Sequence, residues 1–187
     1  MKNIHFKSKG FTLIELLITA AMLVILISVG ISAYSGIFSR QELVQRAERT
    51  YHFLRLAQSQ AVKLNKKVYV HFCQSDKTGI WKMAMAEQSS CDCFSAASCL
   101  LDGREKSEEL ADGQTLFIPA ADLPFGDQLT SFGSMLHSVD AGSVTLADRS
   151  GSKLKVIQAT RRLRICSPEQ AQLGYKNASN TQRVFLS

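Results

Sequence analysis

What is scarce in this chain, and where, says as much as what is abundant. Its 187 residues include only three prolines, Pro119, Pro124 and Pro168, so no proline interrupts a helix anywhere in the first hundred residues. Acidic and basic side chains are almost absent between Phe11 and Phe38, where Glu15 stands alone. Histidine is thinly spread, with His52, His71 and His137 far apart, and neither Gly-x-Ser-x-Gly nor His-Glu-x-x-His occurs. These absences remove the usual signatures of serine hydrolases and zinc peptidases. No Gly-rich phosphate loop, internal repeat or heptad array beyond the N-terminal stretch is present. The chain therefore reads as a non-enzyme with no cofactor and no metal.

What fills the charge-poor stretch is Leu, Ile, Val, Ala and Met. At about 1.5 Å per helical residue, the run from Phe11 to Phe38 is long enough to cross a hydrocarbon core of roughly 30 Å. A short basic leader with Lys2, His5, Lys7 and Lys9 precedes it and ends at Gly10. A secretory signal carries its small-residue cleavage site after the apolar core, whereas here the small residue comes first. Cleavage after Gly10 would leave the apolar helix on the mature chain. Lys7 and Lys9 hold the leader in the cytoplasm by the positive-inside rule, which puts the bulk of the chain on the far side of the bilayer. A carboxylate inside an apolar span costs roughly 2.5–3.5 kcal/mol on insertion scales, so Glu15 is a candidate functional residue that calls for a cationic partner. The plainer reading is a carboxyl that snorkels to the interface.

With about 50 residues committed to the first helix, roughly 120 remain, enough for one core. The formal charge is +6; without Lys2, Lys7 and Lys9, 19 basic residues face 16 acidic ones, a balance of +3. Global charge thus gives little reason to expect a polyanionic partner, and local clustering must carry any such argument. All five cysteines, Cys73, Cys91, Cys93, Cys99 and Cys166, follow the span, on the side that is an oxidising compartment, where disulfides form and a cysteine nucleophile is a poor candidate. An odd count leaves at least one thiol unpaired or paired between chains, and the spacing leaves the connectivity open. Cys91 and Cys93 are too close for an easy mutual bond. A metal knot at Cys91, Cys93 and Cys99 lacks a histidine and a standard zinc spacing.

Taken in order, the chain predicts a helix from about Thr12 to Leu64, stopped by Asn65-Lys66-Lys67. Beyond the span, Leu43, Ala47, Thr50, Leu54, Ala57, Ala61 and Leu64 recur at alternating steps of four and three, one stripe to be buried against a folded domain. Gly30, Gly36 and the serines at 28, 32, 35 and 39 mark a junction suited either to bending or to close packing of helices. Val68, Val70 and Phe72 then alternate with Tyr69, His71 and Cys73 as a half-buried strand, and Ile80–Met85 follows across Asp76-Lys77-Thr78-Gly79 as its hairpin partner. Residues 87–113 show little periodicity and read as a long surface excursion pinned by cysteines. Thr115–Ile118 is a short strand at most. Ser143–Ala147, Lys153–Ile157 and Arg162–Cys166 are strands, with Asp148–Ser152 and Ala159–Arg161 as turns, giving an antiparallel meander on the amphipathic half-helix.

The order of basic leader, Gly10-Phe11-Thr12-Leu13-Ile14-Glu15 and apolar run resembles the class III leader of type IV pilins and type II secretion pseudopilins. Leu54–Val68 is similar to the helix end and first turn of the GspH/FimT group, although Gln58 and Gln60 stand where Arg and Glu are usual. Phe132-Gly133 and the run from Gly142 to Cys166 resemble that group's closing sheet. The resemblance implies an α+β type IV pilin fold, a long N-terminal helix on a C-terminal antiparallel sheet. It divides the chain into a cleaved leader (1–10), a transmembrane and assembly half-helix (11–39) and a periplasmic globular domain (40–187, helix 40–65 and sheet 68–187). It further implies cleavage by prepilin peptidase between Gly10 and Phe11, N-methylation of Phe11, and a pairing of Glu15 with a neighbouring subunit's N-terminal amine. The expected location is the inner membrane, single-pass, before extraction into a filament. The expected partners are other pilins or pseudopilins through the helix, prepilin peptidase, an inner-membrane assembly platform and membrane lipid. The expected role is a minor subunit of the tip or priming complex of a pilus or secretion pseudopilus.

Arg161-Arg162-Leu163-Arg164 resembles the Gly-Arg-x-Arg ending of this group, in which some DNA-uptake minor pilins contact DNA through two arginines; Arg161 replaces the glycine. A period of two puts Arg162 and Arg164 on one strand face with Leu163 and Ile165 turned inward. Lys153, Lys155 and Arg149 on the preceding hairpin extend the patch, which would hold DNA through phosphate contacts. DNA is accordingly the alternative partner, and solvated protection of a sheet edge is the plainer reading of the same basic residues.

Overall fold

In the computed structural model, the described residues are 12–134, 139–159, 162–168 and 174–177, with the side chains of 29–37 left aside. Gly10, Phe11 and Arg161 lie outside the described residues. By its internal contacts the chain divides into two units, Met1–Phe38 and Ser39–Ser187.

Helix α1 spans Leu13–Leu64. Thr12 caps it, its Oγ1 accepting the Glu15 N–H at 3.3 Å while its carbonyl accepts from Glu15 and Leu16. The helix ends where Asn65 takes a positive φ of 51° and the Lys66 N–H reaches back to the Ala61 carbonyl at 3.2 Å, a left-handed cap that asparagine tolerates. Among the described residues no helix is long and apolar enough to cross a membrane.

Among the described residues, the Ser39–Ser187 unit carries nine strands in two antiparallel sheets, where the sequence suggested one. The first has β1 (Val68–Gln74), β2 (Trp81–Ala86), β3 (Leu100–Leu101), β4 (Arg104–Ala111) and β6 (Leu129–Phe132) in the order β3-β4-β2-β1-β6. The second has β5 (Leu116–Phe117), β7 (Gly142–Asp148), β8 (Lys153–Ala159) and β9 (Arg162–Cys166) in the order β5-β7-β8-β9. The β1–β2 hairpin pairs Val70 with Met85 and Phe72 with Met83. Residues 100–111 correct the reading of 87–113 as one irregular excursion, since β4 pairs with β2 along most of its length. Its charged run, exposed on both faces over most of its length, gave no alternation to read.

One apolar cluster joins helix and sheets. The stripe is buried as spaced: Leu43, Ala47, Thr50, Leu54, Ala57 and Ala61 are inaccessible to solvent, and Leu64 packs at its margin. Thr50 turns its hydroxyl to the Arg46 carbonyl at 2.7 Å, so no donor is stranded. Against this stripe lie Val68, Val70, Met83 and Met85 from the first sheet and Val144, Leu146, Leu154 and Val156 from the second. Phe125 stacks on Phe72 with ring centroids 5.4 Å apart, above Gly142, where a β-carbon would run into the Phe125 ring. The two sheets are also bridged by a polar link, with Gln158 Nε2 donating to Thr130 Oγ1 at 3.0 Å and to the Asp140 carbonyl at 2.8 Å.

The turn between β4 and β5 is organised by Asp112. Its carboxylate accepts from the backbone N–H groups of Gln114, Thr115 and Leu116 and from the Thr115 hydroxyl. Partial burial alone would push this carboxyl up; those donors outweigh it and hold it at about 2, against an ordinary 3.8. A depressed folded-state value means that the stabilisation is complete above the unfolded value and fades as pH falls from about 4 towards 2. Acid unfolding of the wild type should therefore steepen across that window. Asp112→Asn, monitored by circular dichroism, should show a shallower loss there.

Candidate functional site

Three places carry the residues of functional interest. The first is the start of α1. Thr12 and Glu15 form the two ends of a Thr-x-x-Glu capping pattern, with Glu15 in the first turn, where the exposed N–H groups make the helix end electropositive. Around it Leu13, Ile14, Leu16, Leu17, Ile18 and Met22 to Ile27 are all at least half exposed. Positions 13 to 27 wrap the full circumference of a helix, so this surface is apolar all round. Such a surface in water is unfavourable at roughly 25 cal/mol per Å².

The second is the face formed by β8 and β9. Arg162 lies opposite Ala159, and Arg164 opposite Ile157, which sets both arginines and Lys155 on one face. Leu163 and Ile165 pack on the core, and the outward side alternates down β8 as Lys153, Lys155 and Ile157. Arg162 is exposed and Arg164 half-buried. Lys155 is not available as freely as the sequence suggested, because its Nζ lies 3.4 Å from Asp122 Oδ2. The same carboxylate accepts the Thr145 hydroxyl at 2.8 Å. That hydrogen bond, against some burial and together with Lys155 and Lys153, holds the Asp122 carboxyl below its ordinary value. Thirty-three residues separate Asp122 from Lys155, and no local pattern signals the pair.

The third is the cysteine cluster. Cys73 at the end of β1 is bonded to Cys93, with Cα atoms 5.9 Å apart, and Cys91 to Cys99, at 5.3 Å; both separations are ordinary for a disulfide. The odd cysteine is Cys166, buried beside β8, where its Sγ meets the Lys155 carbonyl at 3.6 Å. Burial pushes its thiol up, outweighing Lys155 and Arg164, so it is not an activated nucleophile. Among the described residues no group of histidine, cysteine and carboxylate side chains is arranged to hold a metal.

Residues 5–31 match the family model of the prokaryotic N-terminal methylation motif, and residues 46–171 match that of the type II transport protein GspH. No curated protein and no solved structure matches the chain at a significant level. The first match contains Gly10, Phe11 and Glu15; the second runs from the amphipathic half of α1 past β9.

Proposed function

Since the chain belongs to the family of the type II transport protein GspH and carries a prepilin leader, we propose that it is a minor subunit of the tip or priming complex of a type IV pilus or a type II secretion pseudopilus. Family membership makes it a membrane-anchored, periplasmic filament subunit that assembles with other pilins or pseudopilins and is processed by prepilin peptidase. It makes the chain a structural component; members of this family are not typically enzymes.

In our reading, prepilin peptidase cuts between Gly10 and Phe11, Phe11 is N-methylated, and residues 11–39 cross the inner membrane once. Residues 40–187 then lie in the periplasm until an inner-membrane assembly platform lifts the subunit out of the lipid. The observation that carries this reading is the helix surface from Leu13 to Ile27, apolar all round and interrupted by the single carboxylate of Glu15. In the filament Glu15 meets the N-terminal amine of a neighbouring subunit and sets the axial register. Breaking such a pair in an apolar setting costs on the order of 3 kcal/mol, a loss of about 100-fold in incorporation. Glu15→Ala should thus be cleaved normally yet be nearly missing from sheared filaments on immunoblots. Wild-type incorporation of this variant would return Glu15 to the plainer reading, a carboxyl that snorkels to the interface.

A second reading is favoured by one observation, the register that sets Arg162 and Arg164 on a common face. There the domain captures extracellular DNA for uptake, with Arg161, Lys153 and Lys155 at the border of the contact. The full chain in detergent should then retain duplex DNA at low salt. The pair Arg162→Ala with Arg164→Ala should lower the slope of log affinity against log salt by about two. Absence of retention at low salt removes this reading.

A further inference from the structure

Only one face of the first sheet is covered by the helix. Val68, Val70 and Phe72 of β1 and Trp81, Met83 and Met85 of β2 belong to the main core. The alternate residues Tyr69, His71, Cys73, Lys82, Ala84 and Ala86 therefore point to the other side. Yet Ala84, Ala86 and His71 are buried as well, at 0%, 1% and 7% exposure. Residues 87–99 cover them.

This cover has little apolar substance. Its cluster consists of Ala84, Ala86, Cys93 and Cys99, with Cys73 and Cys91 at the margin. Phe94, the one large apolar side chain between Glu87 and Cys99, is 40% exposed, with Lys82 Nζ 4.9 Å from its ring centroid. Several hydrogen bonds are internal to the cover: Asp92 N–H to Ser98 Oγ, and Phe94 N–H and Ser95 Oγ to the Asp92 carboxylate. Non-covalent ties to the rest of the domain cluster at Glu87, whose carboxylate meets Lys66 at 2.9 Å and the Asp102 N–H at 3.1 Å and whose own N–H donates to the Leu100 carbonyl at 3.1 Å. Beyond it His71 Nε2 meets the Gln88 carbonyl at 3.0 Å and the Cys93 N–H donates to Cys73 Sγ at 3.3 Å. From Ser89 to Cys99 the strongest restraint is covalent. Cys73–Cys93 fastens it to β1, and Cys91–Cys99 closes it on itself. The main core contains no cysteine.

We propose that residues 87–99 form a thiol-releasable cover on the first sheet, which a dithiol detaches while the helix-backed core stays folded. In each bond one cysteine is partly exposed, Cys73 or Cys91, and the other is buried. An incoming thiolate attacks the Sγ of Cys73 or Cys91 and forms a mixed disulfide. The bond to Cys93 or Cys99 breaks, and that sulfur leaves with the electron pair and takes a proton from water. The second thiol of the reductant then attacks its own bridged sulfur and releases the exposed cysteine as a thiol. Each cycle converts one cystine to two thiols and one dithiol to a disulfide.

Trp81 supplies an independent readout, since it is the one tryptophan and sits 3% exposed in the main core. The full chain in detergent is treated with excess dithiothreitol under native conditions and compared with the oxidised protein by hydrogen exchange and Trp81 fluorescence. The expected result is four titratable thiols gained, amide exchange in 87–99 faster by about two orders of magnitude, the scale on which closing a loop of this length restrains a chain, and unchanged Trp81 emission. A red-shifted Trp81, protection retained in 87–99, or disulfides that resist the dithiol would each overturn the proposal. The double variant Cys73→Ala with Cys93→Ala should release the cover without reductant. Cys91→Ala with Cys99→Ala, which keeps the tether to β1, should not.

Discussion

Gly10→Val should abolish maturation, leaving the full-length precursor in the membrane fraction while the wild type loses its first ten residues. The reason lies in the order of the leader. Gly10 is the small residue that precedes the apolar run in the sequence, and in our proposal the bond after it is the one that prepilin peptidase cuts on the cytoplasmic side. A β-branched side chain restricts the local backbone and adds bulk where the scissile bond must be approached. Cleavage at this position matters downstream as well, because it creates the amine that our reading sets against Glu15 of the adjoining subunit. A gel shift between precursor and mature protein checks this expectation. A variant of normal mature size would refute the assignment of the cut.

Gly113→Ala should strongly destabilise the globular domain. Gly113 has a φ of +74°, and a β-carbon added there would lie 2.7 Å from the Gly79 carbonyl oxygen and 2.9 Å from its carbon. Gly79, also at positive φ, is held in the β1–β2 turn by its N–H bond to the Ser75 carbonyl at 2.8 Å. The two turns therefore meet backbone to backbone, and neither has a flexible side chain that can yield. Left-handed strain and overpacking together cost roughly 3–5 kcal/mol. That corresponds to a melting temperature lower by on the order of 10 °C. Gly151→Ala separates the two contributions. Its φ is +86°, but nothing lies within 4 Å of the added carbon, so only the smaller strain of about 1 kcal/mol is expected. Thermal melts of both variants decide whether the close approach of the turns matters.

The elements whose burial pattern repeats along the chain were readable from the residues. The stripe from Leu43 to Ala61 is a strict helical spacing, and each of its members is buried. The hairpin of β1 and β2 shows as a change of period from 3.6 to 2, and the meander of β7, β8 and β9 as alternation between short turns. Strands β3 and β5 are two residues long and β6 four, too short to display a period. Strand β4 is hidden for a different reason. It is a charged strand with few buried positions, and its placement comes from pairing with β2 and from Arg46. That guanidinium donates to the Glu109 carbonyl at 2.8 Å and meets its carboxylate at 3.1 Å. It covers part of an edge that β3 pairs with only at Arg104 and Glu105.

The candidate sites divide along the same line. Alternation along β9 sufficed to bring Arg162 and Arg164 together, whereas the carboxylate of Asp122 beside Lys155 is a long-range contact without a local signature. The capping of α1 by Thr12 is written in the sequence as Thr-x-x-Glu, with Thr12 Oγ1 accepting the Glu15 N–H. Cysteine pairing followed neither spacing nor order. It depends on the end of β1 lying beside residue 93, which only the sheet topology provides.

The claim on which the rest stands is that the chain is trimmed at its N-terminus and keeps its apolar helix. Intact-mass spectrometry of the protein purified from membranes or filaments measures this directly. The account predicts a chain that begins at Phe11 and carries one methyl group. A mass that retains Met1 and the leader, or one whose N-terminus lies beyond Phe38, would contradict it.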